Sequence, residues 1–178
     1  MHQTEADLIA RVRAGDSSAF GDLVEPYRSK LWGVCLRVTG SPADAEDALQ
    51  DCLLAAWRNL DKFRGESAIG TWLYRIAANA AVGVVRRRRE IAGEVPDRAD
   101  PSPAADDVLA LRDEVETALR LVPTDFRVAL VLREYGDLSY EEIAAHQGVG
   151  VQTVKSRLNR ARASVRTALA AGVPVSDA

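Results

Sequence analysis

The chain has 178 residues, of which 47% are hydrophobic and 28% are charged, and its formal net charge is −3. This length suits one ordinary domain or two small ones, and the near-neutral charge does not by itself indicate a nucleic-acid-binding protein. No apolar run approaches the roughly 18 residues of a membrane-spanning helix, and nothing at the N-terminus resembles a signal peptide. We therefore expect a cytoplasmic protein with no direct membrane insertion.

The cysteines and histidines lack the spacing of a metal or redox site. Cys35 and Cys52 form no CxxC pair, and His2 and His146 lie far apart in the sequence. Both cysteines fall on apolar helical faces, where we interpret them as small core residues. Because the sequence offers no nucleophile–base pair, metal cluster or phosphate loop, we predict no enzyme activity, no cofactor, no metal and no small-molecule substrate.

The first sixty residues carry the signals of consecutive amphipathic helices. Thr4, followed by acids, predicts a helix that stops at Gly15, and Pro26 should kink or divide the next apolar segment. Ser41 before a proline is a strong start signal for a helix that runs to about Leu60. We expect the buried face of this helix to consist of Ala45, Ala48, Leu49, Cys52, Ala56, Trp57 and Leu60.

Residues 63–89, FRGESAIGTWLYRIAANAAVGVVRRRR, change in character along their length. We predict a loop from Gly65 to Gly70 and a helix from Thr71 that frays into Arg86–Arg89. A flexible loop, a row of rings and amides, and a cationic end suit a surface that holds an opened nucleic-acid strand. A buried helix with a solvated basic end is the alternative. On the outward side of the helix we place Tyr74, Arg75, Ala78 and Asn79.

Helical periodicity disappears between Glu90 and Asp107, where prolines and acids predominate. Residues 91–107 contain five acids and one base, which predicts a flexible acidic linker. No period-2 run and no Asn-Gly hairpin signal occurs in the sequence. We therefore predict an all-α protein with two small helical domains at residues 1–90 and 108–172, joined by the linker and followed by a short tail at 173–178.

The segment LSYEEIAAHQGVGVQTVKSRLNRARA has the layout of a helix-turn-helix, with a capping box, a glycine-bearing turn and a second helix with one polar face. Residues 152–169 contain five bases and no acid. A solvated basic helix that only covers a core is the alternative to a DNA-binding helix. At about 100° per residue, the side opposite the apolar stripe and its flank carry side chains suited to base edges and phosphates: Gln152, Lys155, Ser156, Asn159 and Arg160.

Together, these segments resemble the extracytoplasmic-function class of bacterial sigma factors, within the sigma-70 family. SPADAEDALQDCLLAAWRNLDKF is similar to region 2.2 of that family, and FRGESAIGTWLYRIAANAA is similar to regions 2.3 and 2.4. The helix-turn-helix segment resembles region 4.2. The resemblance covers nearly the whole chain, with the regions in the family's order and the linker in its usual place.

The resemblance implies a protein that binds core RNA polymerase and directs transcription initiation at promoters with −10 and −35 elements, under the control of an anti-sigma factor. It implies docking on the β′ coiled coil of the polymerase through Asp47, Gln50 and Asp51, and contact with the β flap. The last helix would read the −35 element through the five residues named above. Contacts with the −10 element are implied for Phe63, Arg64, Ser67, Trp72, Arg75, Asn79, Arg86 and Arg87.

Within the −10 segment, the resemblance implies that one flipped base enters a pocket formed by Asn79 and the Gly65–Gly70 loop. Val82 and Gly83 stand where members of the family often have polar residues, so we expect fewer contacts with the duplex upstream of the −10 element. A free-standing helix-turn-helix transcriptional regulator is the alternative function. Such a regulator would need neither the acidic helix face nor the strand-holding segment.

Overall fold

The computed structural model of the protein describes residues 4–92 and 107–171, and within these two ranges its regular structure is helical, with no strand. The prediction of an all-α fold is confirmed. The N-terminal lobe contains α1 (Glu5–Arg13), α2 (Ser18–Val24), α3 (Arg28–Thr39), α4 (Pro42–Asn59) and α5 (Ile69–Ala92). The C-terminal lobe contains α6 (Asp107–Arg120), α7 (Thr124–Glu134), α8 (Tyr140–Gln147) and α9 (Val151–Ala170).

Side-chain caps begin three of these helices where the sequence predicts them. The Thr4 hydroxyl accepts from the Asp7 amide at 3.2 Å, and the Asp7 carboxylate accepts in return from the Thr4 amide at 3.1 Å. Ser139 and Glu142 form the same reciprocal box at the start of α8, and the Ser41 hydroxyl caps α4. These contacts satisfy backbone donors that have no partner within a helix.

Proline divides the N-terminal helices as predicted, and a glycine ends one of them. A short 3-10 helix at Glu25–Tyr27, which contains Pro26, separates α2 from α3. Gly40 ends α3 with φ +76°, a left-handed conformation that favours glycine. A Cβ atom at Gly40 would also lie 2.8 Å from Cγ of Arg120 in α6, so glycine is required here for close packing as well.

The core of the N-terminal lobe lies where α3, α4 and α5 pack against one another. Cys35 on α3 and Cys52 on α4 are fully buried in it, and burial raises the pKa of each thiol to about 12. Both cysteines are therefore core residues, as predicted from their apolar helical faces.

Two expectations for α5 were wrong. The helix begins at Ile69 rather than Thr71, and it continues through the four arginines to Ala92 instead of fraying. Gly70 is helical and packs tightly, since a Cβ atom there would lie 2.7 Å from the Tyr27 ring. The arginine turn is held by ion pairs with α4 and by an i,i+4 pair from Arg86 to Glu90 at 3.7 Å.

The predicted inward and outward faces also need correction at three positions. Trp57 is 40% exposed and packs edge-on against Phe20, with ring centroids 5.2 Å apart. Tyr74 and Ala78, expected on the outward side of α5, are buried. The reason is that α5 packs against both α3 and α4, so its buried face is wider than a single apolar stripe.

In the C-terminal lobe, α9 packs against α6, α7 and α8. Leu132, Leu138, Ile143 and Leu158 are almost wholly buried between these helices. Gly148 ends α8 with φ +63° and turns the chain toward α9. This lobe therefore has the capped helix, glycine turn and second helix of the predicted helix-turn-helix.

The two lobes are in direct contact, which the sequence did not predict. Helix α3 lies against α6 and α7, and α5 lies against α7. Ile91 and Ala92, at the start of the predicted linker, belong to α5, and Asp107, at its end, belongs to α6. The rest of the predicted linker and the predicted tail at 173–178 lie outside the described residues. No helix in the described ranges is both long enough and apolar enough to cross a bilayer.

Candidate nucleic-acid interface

Helix α9 exposes all five residues that the sequence assigned to its DNA-facing side. Val154, Leu158 and Ala161 are buried beneath them, as the predicted stripe requires. Their contact with DNA stays a prediction. The exposed residues are Gln152, Lys155, Ser156, Asn159 and Arg160.

The five bases of α9 divide into different roles. Arg157 donates to the Gln147 side chain at 2.9 Å, and Arg162 pairs with Glu134 at 2.7 Å, so both hold the lobe together. Arg160 forms no ion pair or hydrogen bond among the described residues. The sequence alone did not separate these roles, because the partners of Arg157 and Arg162 lie on α7 and α8.

Lys155 has an aromatic neighbour that sequence reasoning missed. Its Nζ lies 5.9 Å from the centroid of the Tyr140 ring, and the Arg133 guanidinium lies 5.1 Å from the same centroid. A cation near an aromatic face at this distance is attracted by the ring. Tyr140 therefore helps to position Lys155 on the exposed side of α9.

Among the predicted −10 residues, the rings of Phe63 and Trp72 pack against each other. Phe63 and Trp72 are half-buried, with centroids 5.3 Å apart and planes inclined at 51°. Arg64 and Asn79 are exposed, whereas Ser67 is half-buried and donates to the Ala68 carbonyl at 3.4 Å. A partly open aromatic pair next to exposed cationic and amide groups can stack and hydrogen-bond an unpaired base.

An open cleft of about 670 Å³ lies between α1 and the turn that carries Phe63. Arg13 of α1 shapes this turn, since its Nη2 donates to the carbonyl oxygens of Phe63 at 2.5 Å and Leu60 at 3.3 Å. Sequence reasoning missed Arg13 because its acceptors lie some fifty residues away. Asn79 is not among the lining residues, which are Ala6, Ile9, Ala10, Arg13, Asp61, Phe63, Arg64 and Gly65.

Arg75 faces the other lobe. Its Nη2 lies 4.0 Å from the Glu142 carboxylate on α8, and the side chain is 28% exposed. Its Nε is buried without a hydrogen-bond partner. The structure therefore does not group Arg75 with the exposed side chains of the predicted −10 surface.

Two members of the arginine run pair with carboxylates of α4. Arg87 contacts Asp51 and Arg88 contacts Asp44, each at 2.8 Å. Arg87, a predicted −10 contact, and Asp51, a predicted polymerase-docking residue, thus meet in one ion pair. Periodicity within a single helix could not reveal a contact between residues 36 positions apart.

The predicted polymerase-docking face of α4 is accessible. Asp47 and Gln50 are exposed, and the Asp51 side chain is 46% exposed despite its pairing with Arg87. Leu54 and Trp57 are also exposed, at 53% and 40%, and follow at helical spacing on the same side. The face therefore combines an acidic part with an apolar part that the sequence reading had not assigned to it.

Neither interface contains an evident metal site. Within residues 4–92 and 107–171, no group of three or more His, Cys, Asp or Glu side chains could hold a metal ion.

Two family descriptions match the chain in separate segments. Residues 23–91 match Sigma-70 region 2, which covers α3, α4 and nearly all of α5. Residues 112–165 match Sigma-70 region 4, which covers the helix-turn-helix.

Curated relatives match over almost the full length. The RNA polymerase sigma-H factor of Pseudomonas aeruginosa is 38% identical, and the alignment covers 94% of each chain. The ECF RNA polymerase sigma-E factor of Escherichia coli K12 is 37% identical, over 91% of this chain and 92% of that protein.

Two solved complexes each contain a chain that resembles most of this fold. The sigma factor RpoE in complex with the anti-sigma factor NepR, from Bartonella quintana, superposes with a TM-score of 0.71 at 27% identity, over 86% of this chain and 98% of that one. CnrH in complex with the cytosolic domain of CnrY superposes with a TM-score of 0.68 at 28% identity, over 93% and 96%. With both regions present in order and curated relatives alike along more than nine-tenths of their length, the chain belongs to the extracytoplasmic-function RNA polymerase sigma factors of the sigma-70 family.

Proposed function

We propose that this chain is a dissociable subunit that gives core RNA polymerase its promoter specificity. The observation that carries the proposal is the presence of three exposed surfaces on one chain: the polar side of α9, the aromatic and basic segment around Phe63, and the acidic face of α4. A simple repressor needs only the first of these. The chain would act in the cytoplasm, where promoters and polymerase meet, and would perform no catalysis itself.

For the −35 element, we propose that α9 enters the major groove. Arg160 can donate two hydrogen bonds to guanine, and Asn159 can form a bidentate pair with adenine. Gln152 and Ser156 lie on the same exposed side, and Lys155 reaches toward phosphate. This lobe, with domain bounds proposed at 108–172, would also contact the β flap.

For the −10 element, we propose that the N-terminal lobe, with bounds at 1–90, holds one opened strand. Phe63 supplies a stacking surface supported by Trp72, and the exposed Arg64 and Asn79 supply donors for phosphate and base edges. Ser67 lies in the same segment. Arg86 and Arg87, exposed on α5, hold phosphates without reading sequence.

Arg75 requires a rearrangement before it can take part in this contact. Its side chain now faces Glu142 of the other lobe, so its proposed contact with the −10 element depends on separation of the lobes. This dependence links promoter recognition to the arrangement of the two lobes.

For polymerase, we propose that Asp47, Gln50 and Asp51 dock on the β′ coiled coil, with Leu54 and Trp57 adding apolar contact area. An anti-sigma protein that covers these surfaces would keep the chain inactive. The resemblance to a sigma factor that was solved with an anti-sigma factor supports this part of the proposal.

The test is retention of the chain on immobilised core RNA polymerase. Asp51→Arg places a cation where we propose that a basic surface docks, and we expect retention to fall by at least tenfold. Glu25→Arg is the matched control, because Glu25 is exposed and makes no ion pair among the described residues. Thermal unfolding checks that both variants fold. Equal retention of both variants would remove α4 from the interface, and DNA binding without any retention on polymerase would favour the free-standing regulator.

A further inference from the structure

We propose that helix α1 holds the −10 loop at both of its ends, and that Arg13 is a positioning residue for −10 binding. The −10 loop is defined here as residues 63–68, which connect the 3-10 helix Leu60–Lys62 to α5. The inference rests on the proposed function, because it concerns the strand that the N-terminal lobe is proposed to hold. Helix α1 lies outside residues 23–91, the segment that matches Sigma-70 region 2.

One end of the −10 loop is fixed by Arg13, the last residue of α1. Its Nη2 donates to the carbonyl oxygen of Phe63 at 2.5 Å and to that of Leu60 at 3.3 Å. The Phe63 carbonyl belongs to the peptide unit that joins Phe63 to Arg64, and a peptide unit moves as one rigid plane. Arg13 therefore sets the orientation of the bond between two residues that we propose as contacts with the opened strand.

The other end of the −10 loop is fixed through Tyr27. Its hydroxyl donates to the carboxylate of Glu5, the first residue of α1. The Tyr27 ring lies against α5, since its centroid is 6.3 Å from that of Tyr74 and a Cβ atom at Gly70 would lie 2.7 Å from it. Burial, and then the hydrogen bond to Glu5, raises the pKa of Tyr27 to about 12, so the hydroxyl stays a donor at neutral pH.

The two anchoring residues of α1 keep a fixed spacing because the helix itself is packed in place. The helix has nine residues, so its first and last residues are about 12 Å apart along the axis. Leu8 and Val12 are buried on its inner side. Arg11 donates to the Asp16 carboxylate from Nε at 2.9 Å and from Nη2 at 2.6 Å, which holds the turn that follows the helix. Helix α1 therefore acts as a rigid support for the loop.

The −10 loop has little support of its own. Within the described ranges, no backbone N–H from Arg64 to Ala68 donates to a backbone carbonyl. Arg64, Glu66 and Ala68 are also exposed. A segment with these properties opens at low cost, so its average shape depends on how its ends are held. Holding the ends removes conformational freedom that strand binding would otherwise have to remove.

Arg13 can be replaced without unfolding the lobe. The residue is exposed and its bond to the Phe63 carbonyl lies at the surface, so water can take the place of the guanidinium. Loss of Arg13 should therefore disturb the loop more than the core. Because Arg13 also lines the open cleft beside the loop, direct contact with a phosphate of the strand is the competing explanation, which the test must separate from positioning.

The first measurement is the order of the loop in the free, full-length chain, read as cleavage by glutamyl endopeptidase after Glu66. It compares Arg13→Ala with the matched control Arg28→Ala, because Arg28 is exposed, makes no ion pair among the described residues and belongs to no proposed contact. We expect the cleavage rate to rise at least about threefold in Arg13→Ala and to stay at the wild-type rate in the control. The thermal midpoints of both variants should stay within about 2 °C of the wild type.

Tyr27→Phe tests the other end of the loop. This variant keeps the ring against Gly70 but loses the hydrogen bond to Glu5. We expect it to raise the rate of cleavage after Glu66, as Arg13→Ala does. A wild-type rate in Tyr27→Phe would overturn the proposal that α1 holds both ends.

The second measurement is strand binding by holoenzyme reconstituted with core RNA polymerase. The probe is a fluorescent single strand that carries the −10 sequence shared by the chain-dependent transcripts. Arg13→Ala should weaken binding about two- to tenfold, the cost of ordering a segment that is no longer held. Arg13→Lys, which keeps a donor for the Phe63 carbonyl, should bind more tightly than Arg13→Ala. Retention on core polymerase and the dependence of strand affinity on salt should match the wild type, because a positioning residue contacts no phosphate.

Equal cleavage after Glu66 and equal strand affinity in wild type and Arg13→Ala would overturn the proposal. A salt slope lowered by about 0.7 in Arg13→Ala, with cleavage unchanged, would also overturn it, since that result indicates direct phosphate contact. A wild-type holoenzyme that binds the strand no better than core polymerase alone, although Arg13→Ala loosens the loop, would overturn the proposed function and leave the holding of the loop by α1 standing. The two failures are therefore distinguishable.

Discussion

Arg160 stands on the exposed side of α9 without an ion pair or hydrogen bond among the described residues, unlike Arg157 and Arg162 on the same helix. Its guanidinium is therefore available to an external partner without breaking a contact inside the lobe. The count of charged residues along the sequence correctly predicted a basic helix. It could not show which of the basic side chains are available to an external partner. Whether a basic side chain of α9 is available depends on the hydrogen-bond acceptors that the neighbouring helices place near it.

Arg160→Ala should lower binding to a cognate −35 element by about 5- to 150-fold, the loss of one bidentate base contact. Retention on core polymerase should not change. Arg160→Lys keeps the positive charge but loses the planar guanidinium that can form two parallel hydrogen bonds. This variant therefore distinguishes a hydrogen-bonded contact with a base from electrostatic attraction to phosphate. Electrophoretic mobility shifts on matched and mutated −35 sequences measure the effect. Lower retention on polymerase would show that α9 faces the enzyme instead of DNA.

Cys35 and Cys52 should resist alkylation in the folded chain. Burial raises the pKa of each thiol from 9.0 to about 12, which reduces the thiolate fraction near pH 8 by roughly a thousandfold. Mass spectrometry after iodoacetamide treatment should find both thiols unmodified in buffer and modified in denaturant. Rapid labelling of either thiol in buffer would contradict the packing of α3 on α4.

At the scale of elements, the sequence was a good guide wherever a helix is set by its own residues. The caps at Thr4, Ser41 and Ser139 and the break at Pro26 are local features, and the structure has them. The start of α5 and its arginine turn were predicted wrongly because distant contacts decide them. Gly70 packs on Tyr27, and Arg87 pairs with α4.

Ser41→Ala should lower the free energy of unfolding by about 1 kcal/mol, since the Ser41 hydroxyl accepts from the Asp44 amide at the start of α4. Ser17→Ala is the matched control, because Ser17 occupies the same position before α2 but makes no side-chain cap. Urea denaturation of the two variants gives the comparison. Equal destabilisation would show that the cap at Ser41 has no specific role.

The free energy of unfolding should depend on pH through His146 of α8. Burial is the larger cause that lowers the pKa of His146, and the nearby Arg75 is the smaller. The folded state disfavours the protonated ring, so its contribution to stability is fully present above about pH 6.5 and declines as the pH falls toward the lowered pKa. His146→Gln should flatten the change in unfolding free energy between pH 7.5 and 5.5. An unaltered slope would exclude His146 as its source.

At the scale of the whole molecule, the family, the two lobes and the exposed side of α9 were predictable. Helical periodicity, helix caps and charge patterns each depend on residues that are close together in the sequence. The contact between the lobes was not predictable, because it joins residues that are far apart in the sequence. Lys30 and Asp137, for example, are 107 positions apart. The role of Arg75 was missed for the same reason. Its position on α5 was clear, but the presence of Glu142 opposite it was not.

Transcription in vitro by core RNA polymerase on a genomic promoter library, with and without the purified chain, tests the proposed function most directly. We predict transcripts that depend on the chain and begin at sites sharing one −10 and one −35 sequence. Arg160→Ala should weaken selection at the −35 element, and Asp51→Arg should reduce all chain-dependent transcripts together. A chain that binds DNA alone yet produces no chain-dependent transcript with core polymerase would contradict its role as the promoter-specificity subunit.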